Sequence, residues 1–143
     1  MEIDSIDIFC QVIDNYGDVG VAYRLAREFK RVYPNKKLRF VINQIEELNL
    51  IRKSEDIEII LYKDISKIEN SADLIIESFG CEIPKEYMDK ALKKSKLIIN
   101  LEYFSAEKWV DDFHLQESFL VGNLKKYFFI PGLSEKSGGI LLD

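Results

Sequence analysis

Hydrophobic residues cluster in five short runs along the first hundred residues, and each run predicts a β-strand. The runs are Ser5–Val12, Leu38–Ile42, Ile57–Leu61, Asp73–Glu77 and Lys96–Leu101. The first, fourth and fifth are continuously apolar rather than alternating. That pattern is typical of strands covered by helices on both faces of a sheet.

The segments between these runs have the spacing of amphipathic helices. They are Asp18–Tyr33, Gln44–Lys53, a short Ile65–Asn70, and Pro84–Ser95. Strands that alternate with helices form βαβ units with right-handed crossovers. The sequence therefore predicts an α/β fold: a doubly wound parallel sheet of five or more strands with helices on both faces.

The regular alternation ends after Leu101. Ser105 is a candidate N-cap for a short helix, and Leu124–Ile130 is a candidate further strand. A glycine-rich stretch, Ser137-Gly138-Gly139, follows and is either a loop that approaches a phosphate or a linker. With 143 residues the chain has the usual size of one domain.

Composition narrows the classes of function. Hydrophobic residues make up 47% of the chain, charged residues 31%, and the formal net charge is −5. A negative chain is poorly suited to phosphate-backbone binding, so we expect no nucleic-acid partner. No apolar run approaches the roughly 18 residues of a membrane helix, and the acidic N-terminus lacks a secretory signal, so we expect a cytoplasmic protein without a membrane partner.

Cysteine and histidine give little scope for metal or nucleophilic chemistry. Cys10 and Cys81 lie far apart in apolar runs, without a CxxC motif, and are interpreted as buried free thiols. His114 is the single histidine. We therefore expect no metal site and no Ser-His-Asp triad.

The loop after the first strand carries the strongest chemical signal. It reads Asp14-Asn15-Tyr16-Gly17-Asp18-Val19-Gly20. Its G-x-x-G spacing is not the dinucleotide-binding fingerprint. Two interpretations remain open: Asp18 is an N-cap and Asp14 a turn former, or the two acids form a pair that binds a cation or removes a proton.

A second group of acids and aromatic residues follows the fifth strand, at the same predicted edge of the sheet. It includes Glu102, Tyr103, Glu107 and Trp109. Aromatic rings and carboxylates together suit a guanidinium group, and the rings also suit a base. The alternative is that Trp109 and its neighbours only pack a helix. Glu77 and Glu82, near the end of the fourth strand, are further candidates for this edge.

Taken together, these stretches resemble the EarP family of protein-arginine rhamnosyltransferases, which modify bacterial elongation factor P. The stretches that carry the resemblance are Asp7–Cys10, Val12–Gly20, Arg24–Arg27, Ile76–Pro84, Asn100–Val110 and Leu124–Gly139. The resemblance covers nearly the whole chain but only the N-terminal half of the family's proteins. Two departures are Tyr23, where the family commonly has tryptophan, and the absence of the usual prolines after His114.

The resemblance implies a GT-B glycosyltransferase built of two Rossmann-like domains. Residues 1–143 would be the acceptor-binding N-terminal domain, which holds elongation factor P. The C-terminal domain, which binds the donor dTDP-β-L-rhamnose, is absent from this chain, so we expect this chain alone to be inactive. The implied reaction transfers L-rhamnose to an arginine with inversion, and it uses no cofactor besides the donor substrate.

The resemblance also implies roles for individual residues. Asp18 and Asp14 match the family's two essential acids, and we assign Asp18 as general base and Asp14 as the orienting partner. The expected acceptor-binding residues are Asn15, Tyr16, Glu102, Tyr103, Glu107 and Trp109. The expected donor-facing residues are Gly17, Gly20, Ser137, Gly138 and Gly139. The alternatives are a Rossmann-like module that binds another sugar nucleotide, and a docking domain without catalysis.

Overall fold

The computed structural model describes residues 2–12, 16–51, 57–101, 117–119 and 124–129. Within these residues the strands are β1 (Ser5–Cys10), β2 (Lys37–Ile42), β3 (Glu58–Leu61), β4 (Leu74–Ser78), β5 (Leu97–Leu101), β6 (Glu117–Phe119) and β7 (Lys125–Phe129). The helices are α1 (Tyr16–Val32), α2 (Glu46–Ile51), α3 (Lys85–Lys94) and a 3₁₀ helix (Tyr62–Lys67).

All of these strands form one sheet in the order β3-β2-β1-β4-β5-β7-β6. Every neighbouring pair is parallel except β6 and β7, which are antiparallel. The predicted parallel α/β sheet is therefore confirmed, and it is Rossmann-like. The edge strand β6 was not predicted, because its 3 residues are too few to show a period.

Two helical predictions need correction. Helix α1 begins at Tyr16, two residues before the predicted start at Asp18. The predicted helix Ile65–Asn70 is wrong, because the structure has a 3₁₀ helix that starts at Tyr62, directly after β3. The side chains of Ile65 and Ile68 are both buried. Ile65 lies inside the 3₁₀ helix, whereas Ile68 directly follows the end of the helix at Lys67 and is extended.

Helices cover both faces of the sheet, as predicted. On one face Ile6, Ile8 and Cys10 of β1 share a buried cluster with α1 and α2. On the other face Phe9 shares a second cluster with α3 and the 3₁₀ helix. Because successive side chains of a strand point to opposite faces, a continuous apolar run supplies both clusters at once.

A buried ion pair joins the neighbouring strands β1 and β2. Arg39 donates from Nε to Asp7 Oδ1 at 2.6 Å and from Nη2 to Asp7 Oδ2 at 2.7 Å. Arg39 Nη2 also donates to the carbonyl oxygen of Asn70, the Tyr87 hydroxyl donates to Asp7, and the Ala72 amide donates to that hydroxyl. Asp7 and Arg39 are 1% and 6% exposed, so this network replaces the water that both charges would otherwise bind.

The network shifts two pKa values. Burial alone would lower the pKa of Arg39, but the hydrogen bonds and the charge of Asp7 outweigh it and raise the pKa. Burial, reinforced by the negative charge of Asp7, raises the pKa of the Tyr87 hydroxyl. The arginine therefore stays charged and the tyrosine stays protonated, as the observed hydrogen bonds require.

Replacing Arg39 by methionine should strongly destabilise the fold, because Asp7 would keep a buried charge without its partner. We expect Arg39→Met to lower the free energy of unfolding by about 3–5 kcal/mol. The matched control is Arg31→Met, which breaks the exposed ion pair between Arg31 and Glu28 and should change stability little. Urea denaturation of both variants is the measurement, and equal losses would contradict the role given to the buried pair.

Candidate functional site

The carboxyl ends of β1, β4 and β5 lie side by side at one edge of the sheet, which we call the carboxyl edge. Strands β2 and β3, which follow β1 in the sequence, lie on one side of β1, and strands β4 and β5 lie on its other side. The strand order therefore reverses between β1 and β4. In open α/β sheets, ligands bind in the crevice outside this point of reversal.

The first loop leaves the carboxyl edge from Val12, and Asn43 holds Val12 in place. The Val12 amide donates to Asn43 Oδ1 at 2.8 Å, and Asn43 Nδ2 donates to the Val12 carbonyl oxygen at 2.8 Å. Asn43 follows β2 by one residue. No local pattern in the sequence could have identified it, because its partner lies 31 residues away.

Helix α1 begins directly after this loop. Tyr16, Gly17 and Asp18 form its first three positions, so the interpretation of Asp18 as an N-cap is wrong. A negative charge is favourable in the first turn, near the positive end of the helix dipole. Val19 is fully buried and anchors the first turn to the core. Asp14 and Asn15 lie outside the described residues.

A strained turn follows β4 at the same edge. Phe79 and Gly80 both have positive φ, at 53° and 66°. The Cys81 amide donates to the Ser78 carbonyl oxygen at 3.1 Å, which gives a turn of type I′ geometry. The Phe79 amide also donates to the Leu101 carbonyl oxygen at 2.6 Å, which ties the turn to the end of β5. A bulky residue in the left-handed region is rare, and such strain concentrates at functional sites.

Several polar side chains surround this turn. Asn100 Nδ2 donates to Glu77 Oε1 at 2.8 Å, so Glu77 is bound to the neighbouring strand. Glu82 is exposed beyond the turn, and its amide donates to Gln11 Oε1 at 3.2 Å. The Ser78 hydroxyl is buried and has no hydrogen-bond partner within the described part of the chain. Of the two further candidates, Glu82 is exposed and Glu77 is half-buried.

A hollow of about 340 Å³ opens at the point where the strand order reverses, on the face that α3 covers. It is lined by Gln11, Tyr62, Glu82, Ile83, Pro84 and Lys85. Burial and the adjacent Cys81 raise the pKa of the Tyr62 hydroxyl. The sequence did not point to Gln11, Tyr62 or Lys85; Gln11 lies inside the predicted strand Ser5–Val12 but directly follows β1 in the structure.

The two cysteines confirm the prediction of buried free thiols. Cys10 and Cys81 are both buried and neither forms a disulfide, and Cys81 Sγ donates to the Phe9 carbonyl oxygen at 3.4 Å. Across the described ranges, no three His, Cys, Asp or Glu side chains converge as metal ligands would. None of the described helices has the length and apolarity needed to cross a bilayer.

The remaining candidates lie outside the described residues. They are Glu102, Tyr103, Glu107, Trp109, Ser137, Gly138 and Gly139. The backbone still fixes where the second acidic and aromatic group begins. Strand β5 ends at Leu101, which pairs with Ser78 of β4. Glu102 is the next residue in the sequence, and its place at the carboxyl edge stays a prediction.

Comparison with known protein families identifies the chain. The model of the family described as elongation factor P (EF-P) rhamnosyltransferase EarP matches residues 6–143. The chain belongs to this family. The match includes the loop that carries Asp14 and Asp18, the turn at Phe79 and the glycine-rich stretch at Ser137.

Curated relatives agree with the family match. A protein-arginine rhamnosyltransferase of Pseudomonas aeruginosa is 35% identical over 148 aligned positions, which cover 96% of this chain and 39% of the relative. Proteins of the same name from Shewanella oneidensis and Neisseria meningitidis are each 34% identical, over 96% and 94% of this chain and 39% and 37% of their own lengths. The chain thus spans about two fifths of the length of these relatives.

Two glycines near the site allow a direct test of the backbone geometry. A methyl group added at Gly20 or at Gly80 would meet no atom of the described residues within 4 Å. Gly80→Ala should nevertheless destabilise the chain by roughly 1–2 kcal/mol, because an L-residue is strained at positive φ. Gly20→Ala lies inside α1 and should stabilise the chain by about 0.5–1 kcal/mol. Urea denaturation measures both, and a shift of the same sign in the two variants would contradict the assigned turn.

Proposed function

We propose that this chain is the acceptor-binding half of an inverting GT-B rhamnosyltransferase. The whole enzyme would transfer L-rhamnose from dTDP-β-L-rhamnose to an arginine of elongation factor P. The family match over residues 6–143 is the observation that carries the proposal. The relatives' common name, protein-arginine rhamnosyltransferase, supports the arginine acceptor.

Transfer of rhamnose to arginine needs carboxylates because arginine is a poor nucleophile. Its guanidinium stays protonated in proteins, with a pKa above about 12. In the proposed step Asp18 removes one proton from the guanidinium. The freed nitrogen lone pair forms a bond to C1 of rhamnose. The bond from C1 to the phosphate oxygen breaks, and its electron pair leaves with dTDP.

Asp14 would hold the guanidinium while this step proceeds. A carboxylate accepts two parallel hydrogen bonds from a guanidinium and so fixes both its plane and its direction. Inversion needs the nitrogen, C1 and the leaving oxygen in line, and such positioning supplies a large share of catalysis. The location of Asp18 in the first turn of α1, at the carboxyl edge, supports this assignment.

The acceptor would lie along the carboxyl edge. Its target arginine would meet Asp14 and Asp18, while Asn15, Tyr16, Glu102, Tyr103, Glu107 and Trp109 would contact the surrounding segment. The hollow beside Gln11 and Glu82 widens this surface toward α3. An acidic and aromatic rim of this kind fits a basic, arginine-bearing loop.

The donor would approach the same edge from a second domain. Gly17 and Gly20 occupy the first two turns of α1. Packing among the described residues does not explain the glycine at position 20, since a side chain there would meet none of their atoms within 4 Å. A sugar nucleotide that approaches this backbone closely would explain it. Ser137, Gly138 and Gly139 are proposed as a second donor-facing segment.

In the full-length enzyme, Asp18→Asn should abolish transfer without damaging the fold. Asparagine keeps the size of the side chain but cannot accept the guanidinium proton. We expect a loss of about 10²–10⁴-fold, which is the usual contribution of a positioned general base. The measurement is rhamnosylated elongation factor P by mass spectrometry, next to a thermal melt of the variant. Asp14→Asn should also be severe, because an amide is a poor partner for a guanidinium.

The controls for this experiment separate the competing functions. The unsubstituted full-length enzyme must transfer rhamnose, and residues 1–143 alone should transfer none. Near-normal transfer by Asp18→Asn would reject Asp18 as the base and direct attention to Glu102 or Glu107. Absence of transfer by the unsubstituted enzyme, with docking of elongation factor P retained, would favour the docking domain over the enzyme.

The isolated chain should bind elongation factor P weakly, and salt should weaken the binding further. Exposed charges on the rim and on the acceptor are screened as ionic strength rises. Glu102→Gln should reduce the affinity measured by calorimetry at low salt. Glu69→Gln removes the same charge from an exposed position that precedes β4, away from the carboxyl edge. It should not change the affinity. Absence of binding at low salt would count against the proposed acceptor surface.

A further inference from the structure

Asn43 extends the pairing of β1 and β2 beyond their last paired residues. The backbone register of the two strands ends at Cys10 and Ile42. The Asn43 carboxamide then accepts from the Val12 amide and donates to the Val12 carbonyl, each at 2.8 Å. A carboxamide has a carbonyl oxygen that accepts and an NH₂ group that donates, just as a peptide group has a C=O and an N–H. The Asn43 side chain therefore makes the pair of hydrogen bonds that a backbone peptide group would make if the pairing of β1 and β2 continued.

This extension fixes one end of the acidic loop. Only residues 13–15, which include Asp14, separate Val12 from the start of α1 at Tyr16. The other end is fixed because Val19 and Ala22 of α1 are fully buried. Val12 is the last described residue before Asp14, so its position sets the point from which the chain continues toward Asp14.

We propose that Asn43 is a positioning residue for rhamnosyl transfer. By holding Val12, it sets the point from which Asp14 leaves the sheet, and thereby the direction in which the acceptor guanidinium is presented to the donor. This inference rests on the proposed function. Asn43 itself touches neither substrate in this account, and it acts only through the Val12 backbone.

The chemistry of the pair explains why asparagine is suited to this position. Val12 presents both a donor and an acceptor, so its partner needs one of each. Aspartate in place of Asn43 would still accept from the amide but would set a carboxylate oxygen against the Val12 carbonyl. Alanine would leave both backbone groups of Val12 without this partner.

The test compares Asn43→Ala with Asn43→Asp in the full-length enzyme. We expect Asn43→Ala to lower kcat about 10–100-fold while the KM for elongation factor P changes less than about threefold, because the fault is one of alignment rather than of binding. Asn43→Asp should restore part of the lost kcat. Hydrogen exchange of the Val12 amide should accelerate in Asn43→Ala and less in Asn43→Asp.

The matched control is Ser5→Ala, at the amino end of β1, away from the carboxyl edge. The Ser5 hydroxyl accepts from the Asp73 amide at 2.9 Å, so this variant also removes a bond between a side chain and the backbone of another segment. It should lower the melting temperature without changing kcat or the exchange of Val12.

Each outcome has a distinct meaning. If the Val12 amide exchanges faster in Asn43→Ala but kcat is unchanged, the positioning role is overturned and the proposed function is not affected. A raised KM at unchanged kcat, or a loss of kcat matched by Ser5→Ala, would overturn it as well. Absence of transfer by the unsubstituted enzyme would overturn the proposed function, and this inference with it.

Discussion

The hydrogen-bonded ion pair between Asp7 and Arg39 is the constraint on which the centre of the sheet depends. It joins β1 to β2 and, through the Tyr87 hydroxyl, ties α3 to both strands. A charge buried this deeply costs much free energy unless its partner is in place. The network thus favours one register of β1 against β2, since a slip by one residue would turn Asp7 toward the opposite face.

That register determines what the carboxyl edge can do. With β1 and β2 fixed, Cys10 lies opposite Ile42, and Asn43 falls within reach of Val12. On the other side of β1, β4 pairs with both β1 and β5, and its pairing with β5 places the strained turn at Phe79 beside the end of β5. The buried network lies toward the amino ends of the strands, and the candidate site lies at the carboxyl edge. The strands β1 and β2 connect the two.

Much of this architecture could be predicted from the sequence, because it follows from local patterns. The continuous apolar run around Ile8 and Phe9 predicted a strand covered on both faces, and the structure confirms it. Features that depend on distant partners could not be predicted in the same way. Asn43 directly follows the predicted strand Leu38–Ile42, Tyr62 directly follows the predicted strand Ile57–Leu61, and no local pattern distinguishes either residue. The direction of a strand as short as β6 carries no periodic signal either.

The strand order also has a consequence for how the chain folds during synthesis. Strands β1, β2 and β3 are complete by Leu61, but the other neighbour of β1 is β4, which begins at Leu74. Until β4 emerges from the ribosome, the apolar strand at the future centre of the sheet is an unpaired edge. Exposed edges of this kind pair readily with other chains. The nascent domain therefore exposes an apolar strand edge during the interval in which β1 still lacks its second neighbour.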